Sequence, residues 1–284
     1  MTRFILLGDS AAYGVGDEME GALPTGWGYR VASQLPEGSL YVNFSRPGAT
    51  SREVIEVQLP AALEMEPDIC GVFVGGNDLL RNGYSPEKLE ANLRKIIVAL
   101  LATGSEVFLI ELHDPLQLLK LPRLLARVLR RRVESVNAVY RKMQRTYGIK
   151  LITVRDTPGL YNKKMWHIDR MHPSSHGHQL LAIKVVDYFN QIGFETKPIS
   201  WVEYPIVRGK DEFNWLLKNG IKWFLKRSVD LFPAAIYLMG REGLSIVAKG
   251  IEAKLMHIDS DFSSHHSILD TEERRSHLSK IRAS

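Results

Sequence analysis

The sequence predicts an α/β protein in which a five-stranded parallel sheet lies between two layers of helices. Through the first two-thirds of the chain, five short apolar runs alternate with longer segments of helical periodicity, which is typical of a doubly wound sheet. The runs show little alternation of apolar and polar residues, as expected for strands covered on both faces. With 45% hydrophobic and 24% charged residues, the composition is that of a globular chain.

The predicted strands and helices follow one another in a regular order. Apolar, mostly β-branched or aromatic runs predict strands at residues 4–7, 40–44, 69–74, 107–110 and 149–154. Apolar residues at helical spacing predict helices at residues 27–35, 86–103, 123–147 and 177–192. Ser85 and Pro86 are typical of an N-cap and a first helical position, and Gly104 is typical of a helix end. The sheet is therefore expected to be of the flavodoxin-like, three-layer type.

The last third of the chain has a different pattern. The strand and helix alternation predicts a domain over residues 1–195, and the amphipathic segment 213–227 with the apolar run 231–239 predicts a helical extension over residues 196–256. Polar and charged residues dominate residues 257–284, which we expect to be a disordered tail.

Several features bear on the compartment of the protein. Its one cysteine, Cys70, excludes an internal disulfide. The apolar run 231–239 is about half the length that crosses a bilayer, and the apolar run 4–7 is too short for a signal peptide. We therefore expect a cytoplasmic protein.

The first predicted strand ends in a glycine-rich turn, Gly8-Asp9-Ser10, followed by Gly14 and Gly16. Such turns often bind phosphate, but this one lacks the lysine and hydroxyl residue of a P-loop. Acidic residues in the turn would also repel a pyrophosphate. The better interpretation is that Ser10 is a nucleophile whose backbone N–H lies in the positive field of a helix start.

Polar residues and glycines also stand at the ends of other predicted strands. Gly48 follows the second strand and would let a backbone N–H approach a ligand, and Asn77 follows the third strand and carries amide donors. His172 precedes the last helix, with Asp169 three residues before it. In a serine triad, a histidine takes the proton of the serine and an aspartate orients the histidine.

In order and context, these blocks resemble the SGNH (GDSL-type) hydrolases. The matching blocks are Gly8-Asp9-Ser10 with Gly14, residues 43–48, Gly75-Gly76-Asn77-Asp78, and Asp169-x-x-His172-Pro173, so that the resemblance covers roughly residues 1–193. It implies that Ser10 attacks an ester carbonyl, that His172 is the base and then the acid, and that Asp169 holds His172. It also implies that the N–H groups of Ser10 and Gly48 and the side chain of Asn77 stabilise the oxyanion, without a metal or organic cofactor.

The expected activity is therefore hydrolysis of carboxylic esters, as in esterases and lipases, on a small-molecule or lipid ester. One alternative is a deacetylase that acts on an acylated sugar or a cell-envelope component with the same residues. An alternative of another class is a catalytically inactive, flavodoxin-like binding or peripheral membrane protein.

Four histidines lie close together in the sequence, at positions 167, 172, 176 and 178. Their spacing matches no compact zinc site and no cysteine accompanies them, so we expect no metal. We expect His176 and His178 to be a solvated pair at the start of the last helix.

The positive charge of the chain is local. Residues 115–150 contain ten basic residues and one acidic residue, a net charge of +9, so the rest of the chain carries −4 of the total of +5. Four of the basic residues lie at the start of a predicted helix: Arg123, Arg127, Arg130 and Arg131. They form either a solvated face or a weak contact with anionic lipid head groups. Nucleic acid is not expected as a partner, because few aromatic residues accompany the arginines.

Overall fold

The structure is a computed structural model, which describes residues 1–17, 25–81, 83–119, 121, 123–205 and 240. By its internal contacts the chain divides into one unit over Met1–Ala235 and another over Ile236–Ser284. All of the elements below belong to the first unit.

A five-stranded, wholly parallel sheet forms the centre of this unit. Its strands are Arg3–Gly8 (β1), Leu40–Asn43 (β2), Ile69–Phe73 (β3), Glu106–Ile110 (β4) and Lys150–Ile152 (β5). They lie in the order β2-β1-β3-β4-β5. The predicted flavodoxin-like sheet is thereby confirmed. In this strand order the connections change direction between β1 and β3, and ligands bind at the carboxyl ends of the strands beside such a point.

The helices cover both faces of the sheet. They are Ser10–Tyr13 (α1), Gly26–Ala32 (α2), Ser51–Glu53 (α3), Leu59–Glu64 (α4), Gly76–Leu80 (α5), Pro86–Ala102 (α6), Arg123–Tyr147 (α7) and Ser175–Gln191 (α8). A π-helical segment, Val54–Gln58, joins α3 to α4, and short 3₁₀ turns lie at Pro115–Gln117 and Lys163–Met165. The four predicted helices are present at α2, α6, α7 and α8, and the Ser85 side chain caps α6 as expected.

The helical stretch from α3 to α4 was not predicted. It begins with a capping box, in which the Thr50 side chain accepts from the Glu53 N–H and the Glu53 carboxylate accepts from the Thr50 N–H. The sequence Thr-x-x-Glu is a recognised signal for this arrangement. The π-helical turn then shifts the apolar residues away from the regular spacing on which helix prediction relies.

Two apolar clusters separate the three layers. Ile5 and Leu7 of β1 pack in a cluster with residues of α4, α6 and α7, whereas Phe4 and Leu6 pack in a second cluster with residues of α2 and α8. Because successive side chains of a strand point to opposite faces, β1 contributes to both layers of the core. Apolar side chains thus pack on both faces of the sheet, and the polar groups lie at its carboxyl edge.

After α8 the chain runs without regular structure along the first unit. Lys197 N–H donates to Gln34 O over 2.9 Å, and Gln179 Nε2 donates to Ser200 O over 2.9 Å. Residues 196–205 are therefore not helical, while the rest of the predicted extension and the predicted tail lie outside the described residues except for residue 240. None of the described helices is both long enough and apolar enough to cross a membrane. The cytoplasmic location stays a prediction.

Candidate active site

Ser10 follows β1 by two residues and lies at the start of α1. Gly8 ends the strand with φ of +153°, and a Cβ atom there would lie 2.2 Å from the carbonyl oxygen of Phe73, so only glycine fits. The Asp9 carboxylate caps α1 by accepting from the Ala11 N–H at 3.0 Å. Ser10 is therefore the first residue of the helix and is almost fully buried.

The structure brings Ser10, His172 and Asp169 together. His172 Nε2 lies 2.7 Å from Ser10 Oγ, and His172 Nδ1 lies 2.7 Å from Asp169 Oδ2. With the Nδ1–H directed at the carboxylate, Nε2 is the acceptor for the serine hydroxyl proton. The three side chains thus form a continuous chain of hydrogen bonds from a carboxylate to a hydroxyl.

Asp169 is the best-connected member of this group. Its Oδ1 accepts from the N–H groups of Met171 and His172 at 2.9 and 3.0 Å. Burial on its own raises the pKa of Asp169, but hydrogen bonds from His167 and His172 outweigh it and hold the pKa well below its usual value. Asp169 therefore stays ionised even in acid.

The backbone around His172 is fixed on both sides. Arg170 has a positive φ of 57°, which closes the tight turn between Asp169 and His172. Further out, Trp166 and Pro173 form an antiparallel bridge, and Ser174 N–H donates to Met165 O over 3.0 Å. This hairpin-like loop presents the imidazole to Ser10.

Asn77 enters the same region from α5, at the carboxyl end of β3. Its side chain is 8% exposed, and its Nδ2 donates to the carbonyl oxygen of Ala49 over 3.1 Å. The next residue, Asp78, accepts from both the N–H and the hydroxyl of Ser51. Burial raises the pKa of Asp78, although the bonds from Ser51 oppose this. These contacts tie the start of α5 to the loop that follows β2.

Gly48 lies in that loop, one residue before Ala49. It has φ of +87°, and no atom lies within 4 Å of the position of an added Cβ. The loop is joined to β1 by a bond from Arg46 N–H to Gly8 O of 3.1 Å. Gly48 thus lies between two segments of the site without lining its cavity.

A cavity of about 170 Å³ opens beside Ser10 over the carboxyl ends of β1, β3 and β4. Ser10, Asn77 and His172 are among the residues that line it. Most of the remaining wall is apolar and includes Leu80, Leu119, Leu129, Val133, Met165 and Leu181. The arrangement suits an apolar group next to a reactive polar centre.

Gln58 was not found from the sequence, but it positions the end of β1. From the π-helical segment its Oε1 accepts from Gly8 N–H at 2.8 Å, and its Nε2 donates to Gly8 O over 2.9 Å. A side-chain amide thereby pairs with both backbone groups of a residue two positions before Ser10. No local sequence signal indicates such a contact across 50 residues.

The expectation for His176 and His178 was wrong. They are 2% and 0% exposed and form no solvated pair. His178 Nδ1 accepts from Trp27 N–H at 3.2 Å, and its Nε2 donates to Val15 O over 3.0 Å. His176 Nε2 lies 2.9 Å from Glu203 Oε2. Both histidines join α8 to neighbouring loops, which their position at a helix start could not indicate.

Within the described part of the chain, no group of three or more histidine, cysteine, aspartate or glutamate side chains is placed to hold a metal ion. Cys70 is fully buried in β3, and burial raises the pKa of its thiol.

Comparisons with known proteins relate the chain to lipases and acylhydrolases. Residues 6–180 match the model of the GDSL-like Lipase/Acylhydrolase family. Thioesterase 1/protease 1/lysophospholipase L1 of Escherichia coli (strain K12) is 28% identical over 180 residues, which are 63% of this chain and 78% of that protein.

Solved structures are similar in fold. The lipase/acylhydrolase from Enterococcus faecalis aligns with a TM-score of 0.55 and 21% identity, over 71% of this chain and 100% of that chain. A variant of Axe2, an acetyl xylan esterase from Geobacillus stearothermophilus, aligns with a TM-score of 0.52 and 23% identity, over 73% and 97% of the two chains.

Proposed function

Because the chain belongs to the GDSL-like lipase and acylhydrolase family, we propose that it hydrolyses carboxylic esters with Ser10 as nucleophile. The observation that carries the proposal is the chain of two 2.7 Å hydrogen bonds from Asp169 through His172 to the Ser10 hydroxyl. This is the arrangement that nucleophilic catalysis by serine requires.

In the proposed reaction, Ser10 Oγ attacks the ester carbonyl while His172 Nε2 takes the hydroxyl proton. The tetrahedral intermediate collapses when the same nitrogen gives its proton to the leaving alkoxide, so an alcohol departs and Ser10 is acylated. Water, activated by His172, then attacks the acyl group and releases the acid. Asp169 keeps the proton of the imidazole on Nδ1 throughout and stabilises the imidazolium.

The oxyanion would be held by three donors: the N–H of Ser10, the N–H of Gly48 and Nδ2 of Asn77. Two contacts support this. The Asn77 amide is anchored to Ala49, one residue from Gly48, and the same loop is bonded to the end of β1. Donors fixed in advance stabilise the developing charge without reorganisation.

The shape of the cavity supports an apolar acyl group longer than acetyl. A wall made mostly of leucine, valine and methionine side chains contributes little to binding an acetyl group, whereas it removes a longer alkyl chain from water. The E. coli relative is a lysophospholipase by name, and a lysophospholipid carries a long acyl chain, which also supports an acyl group longer than acetyl.

Helix α7 supports a second element of the proposal, a weak contact with anionic membrane surfaces. Leu129 and Val133 of this helix line the cavity, and exposed arginines occupy its other side at positions 123, 127, 130 and 131. Cationic side chains beside an apolar cavity would bring a lipid ester close to Ser10.

Labelling with a fluorophosphonate probe tests the nucleophile. Wild-type protein is expected to react, and the Ser10→Ala variant is expected not to. Ser45→Ala is the matched control, because Ser45 is also buried near the site and its hydroxyl has no hydrogen-bond partner among the described residues. Equal labelling of wild-type and Ser10→Ala protein would contradict the proposal, as would an unreactive wild type.

A series of p-nitrophenyl esters from acetate to decanoate tests the acyl group. Each methylene buried in the cavity is worth about 0.8 kcal/mol, so kcat/KM is expected to rise about fourfold per added CH₂ until the cavity is filled. A maximum at acetate would instead favour the deacetylase alternative.

A further inference from the structure

A segment that follows α8 is bonded to both parts of the chain that hold the proposed triad. Residues 196–205, called the strap from here on, lie outside residues 6–180, which match the family model. The strap has no regular secondary structure, but two of its side chains, Glu203 and Tyr204, bond to residues near the site. Its contacts therefore bear on the geometry of the triad.

The turn of residues 14–17 lies between Ser10 and the loop that presents His172. The N–H groups of the first two turn residues donate to Ser10 O over 3.2 and 3.0 Å. Gly16 has φ of +96°, and a Cβ atom there would lie 2.1 Å from the carbonyl oxygen of Pro173, the residue after His172. A displacement of this turn would therefore shift the serine and the imidazole relative to each other.

A buried ion pair fixes the end of this turn. The side chain of Asp17 is 3% exposed, and its carboxylate accepts from Arg30 Nε at 3.0 Å and from Arg30 Nη2 at 2.9 Å. Burial on its own raises the pKa of Asp17, but hydrogen bonds and nearby charges, Arg30 foremost, lower it below the usual value. A buried carboxylate depends on its counter-ion, so the position of Arg30 determines where the turn ends.

Tyr204 of the strap completes the surroundings of Arg30. The remaining guanidinium nitrogen, Nη1, donates to the Tyr204 hydroxyl oxygen, and the guanidinium lies over the Tyr204 ring, 4.9 Å from its centroid. The backbone nitrogen of Tyr204 lies 3.1 Å from Nε2 of the buried His176 in α8. Because all three guanidinium nitrogens have partners, Arg30 is fixed between Asp17 and the strap.

The strap is also bonded to the loop that presents His172. Lys164 lies in the 3₁₀ turn before this loop, and its Nζ donates to the two carboxylate oxygens of Glu203 over 3.1 and 3.2 Å. The carbonyl oxygen of Lys164 accepts from the Ser174 hydroxyl, which closes the base of the loop. Because the Glu203 side chain is 63% exposed, this ion pair contributes less to the arrangement than the buried one.

We propose that the strap keeps Ser10 and His172 at reacting distance, with Tyr204 as its main positioning residue. This inference rests on the proposed ester hydrolysis. The triad needs Ser10 Oγ within hydrogen-bond reach of His172 Nε2, which is 2.7 Å away. A displacement of about 1 Å that arises far from the chemistry can lower a rate about 10²-fold. Tyr204 touches none of the reacting atoms and acts through Arg30 and Asp17.

The experiment measures the rate constant of labelling by a short-chain fluorophosphonate, together with kcat and KM on p-nitrophenyl octanoate. Tyr204→Ala is expected to lower kcat and the labelling rate constant about tenfold and to change KM less than about twofold. The end point of labelling is expected to stay complete, which shows that every molecule is folded. Tyr204→Phe, which keeps the ring over the guanidinium, is expected to lose only about threefold in kcat.

Lys197→Ala is the matched control within the strap. Lys197 is exposed, and its bond to Gln34 uses the backbone N–H, which the substitution leaves in place. This variant is expected to have the kcat, KM and labelling rate constant of wild type.

A double-mutant cycle tests the connection through Arg30. Arg30→Lys keeps a cation for Asp17 but lacks the planar fork that reaches both the carboxylate and Tyr204. In the Arg30→Lys background, Tyr204→Ala is expected to lower kcat by less than about threefold, because both changes break the same connection.

Three results would overturn the inference: a Tyr204→Ala protein with wild-type kcat and labelling rate constant, a loss confined to KM, or an equal loss in Lys197→Ala. If Tyr204→Ala does not fold, Tyr204→Phe and Arg30→Lys decide, since wild-type rates in both contradict the proposed role of the strap. Failure of the proposed function is distinguishable, because wild-type protein would then neither hydrolyse the ester nor react with the fluorophosphonate.

Discussion

At the scale of single residues, the side chain of Asn77 makes a structural contact and has a proposed chemical role. An amide nitrogen carries two hydrogens, and the bond to Ala49 O engages one of them. The bond fixes the plane of the amide, so the second hydrogen has a defined direction before substrate arrives. Preorganised donors of this kind act on the charge that develops during the reaction more than on the bound ester.

Replacing Asn77 by alanine is therefore expected to lower kcat by about 10²–10³ and to change KM little. Steady-state kinetics on p-nitrophenyl octanoate measure both constants. Asn92→Ala is a suitable control, since Asn92 Nδ2 donates to Ser51 Oγ over 2.9 Å in the same neighbourhood but does not line the cavity. An Asn77→Ala enzyme with a raised KM and a normal kcat would show that Asn77 binds substrate and does not stabilise the oxyanion.

At the scale of elements, the π-helical segment Val54–Gln58 joins α3 to α4 and places Gln58 against Gly8, two residues before Ser10. A regular α-helix would turn residue 58 by a different angle, whereas the wider π turn directs Gln58 at the backbone of Gly8. Such turns are rare and are frequent at functional sites. Gly8 has both of its polar groups paired with one buried amide, so the position of Ser10 depends on an element 50 residues away.

The free energy of unfolding of the Gln58→Leu variant is expected to be about 1–3 kcal/mol lower than that of wild type, because the Gly8 N–H loses its side-chain acceptor in a buried place. The Gly8 carbonyl loses one of its two hydrogen bonds and keeps the one from Arg46 N–H. Urea titration monitored by circular dichroism measures this difference. Gln34→Leu is the control, since Gln34 is only half-buried and a change of less than about 0.5 kcal/mol is expected there. Equal losses in the two variants would contradict a specific role of the paired amide.

The second element with a consequence for function is α7. Wild-type protein is expected to sediment with vesicles that contain phosphatidylserine at low salt and to be released at 0.5 M salt, since each basic residue near an anionic surface contributes about 1 kcal/mol. The Arg123→Glu/Arg127→Glu variant is expected to bind these vesicles with at least tenfold lower affinity.

The matched control for α7 is Arg94→Glu/Lys95→Glu, which makes the same change of net charge on exposed residues of α6. It is expected to bind the vesicles nearly as well as wild type. Equal loss in both variants would indicate a general charge effect, and binding that is insensitive to salt would exclude the proposed surface.

At the scale of the whole molecule, the sequence predicted those features that depend on residues close together in the chain. Most of the strands were predictable because they are buried on both faces, and the positions of Ser10 and Asn77 shortly after β1 and β3 were predictable because parallel strands end at one edge of the sheet. His172 lies instead in the loop between β5 and α8. The pair Asp169 and His172 is separated by three residues, so their contact could be anticipated from a single turn.

What escaped prediction depends on contacts between distant segments. The bond of Gln58 to Gly8 and the burial of His178 against Val15 are properties of the folded chain alone. The helical stretch from α3 to α4 escaped for another reason, because its π turn breaks the regular apolar spacing while its capping box remains readable. Contacts between distant segments are thus the ones that a linear pattern shows least.

Two buried histidines couple the folding of the whole molecule to pH. Burial lowers the pKa of His178 from its usual value of 6.5 to about 4, and that of His113 to about 3. Between pH 6.5 and pH 4 the unfolded chain therefore binds protons that the folded chain excludes. The stabilisation by neutral histidine is complete above pH 6.5 and is lost as the pH falls toward 4. Burial raises the pKa of Asp78 and Glu111, which acts in the opposite direction, so a difference between variants is needed.

We expect the His178→Gln variant to be less stable than wild type at pH 7 but to lose less stability on acidification. Each histidine that excludes a proton in the folded state makes the free energy of unfolding fall by up to about 1.4 kcal/mol for each unit by which the pH is lowered. The variant lacks one of the two such histidines, so its free energy of unfolding should depend less steeply on pH. Urea unfolding at half-unit steps from pH 7 to pH 4.5 gives the free energy of both proteins, and their difference removes the carboxylate contributions that they share. His113→Gln should reduce the slope by a similar amount from another part of the fold. Parallel curves for wild type and His178→Gln would mean that His178 does not exclude a proton in the folded state.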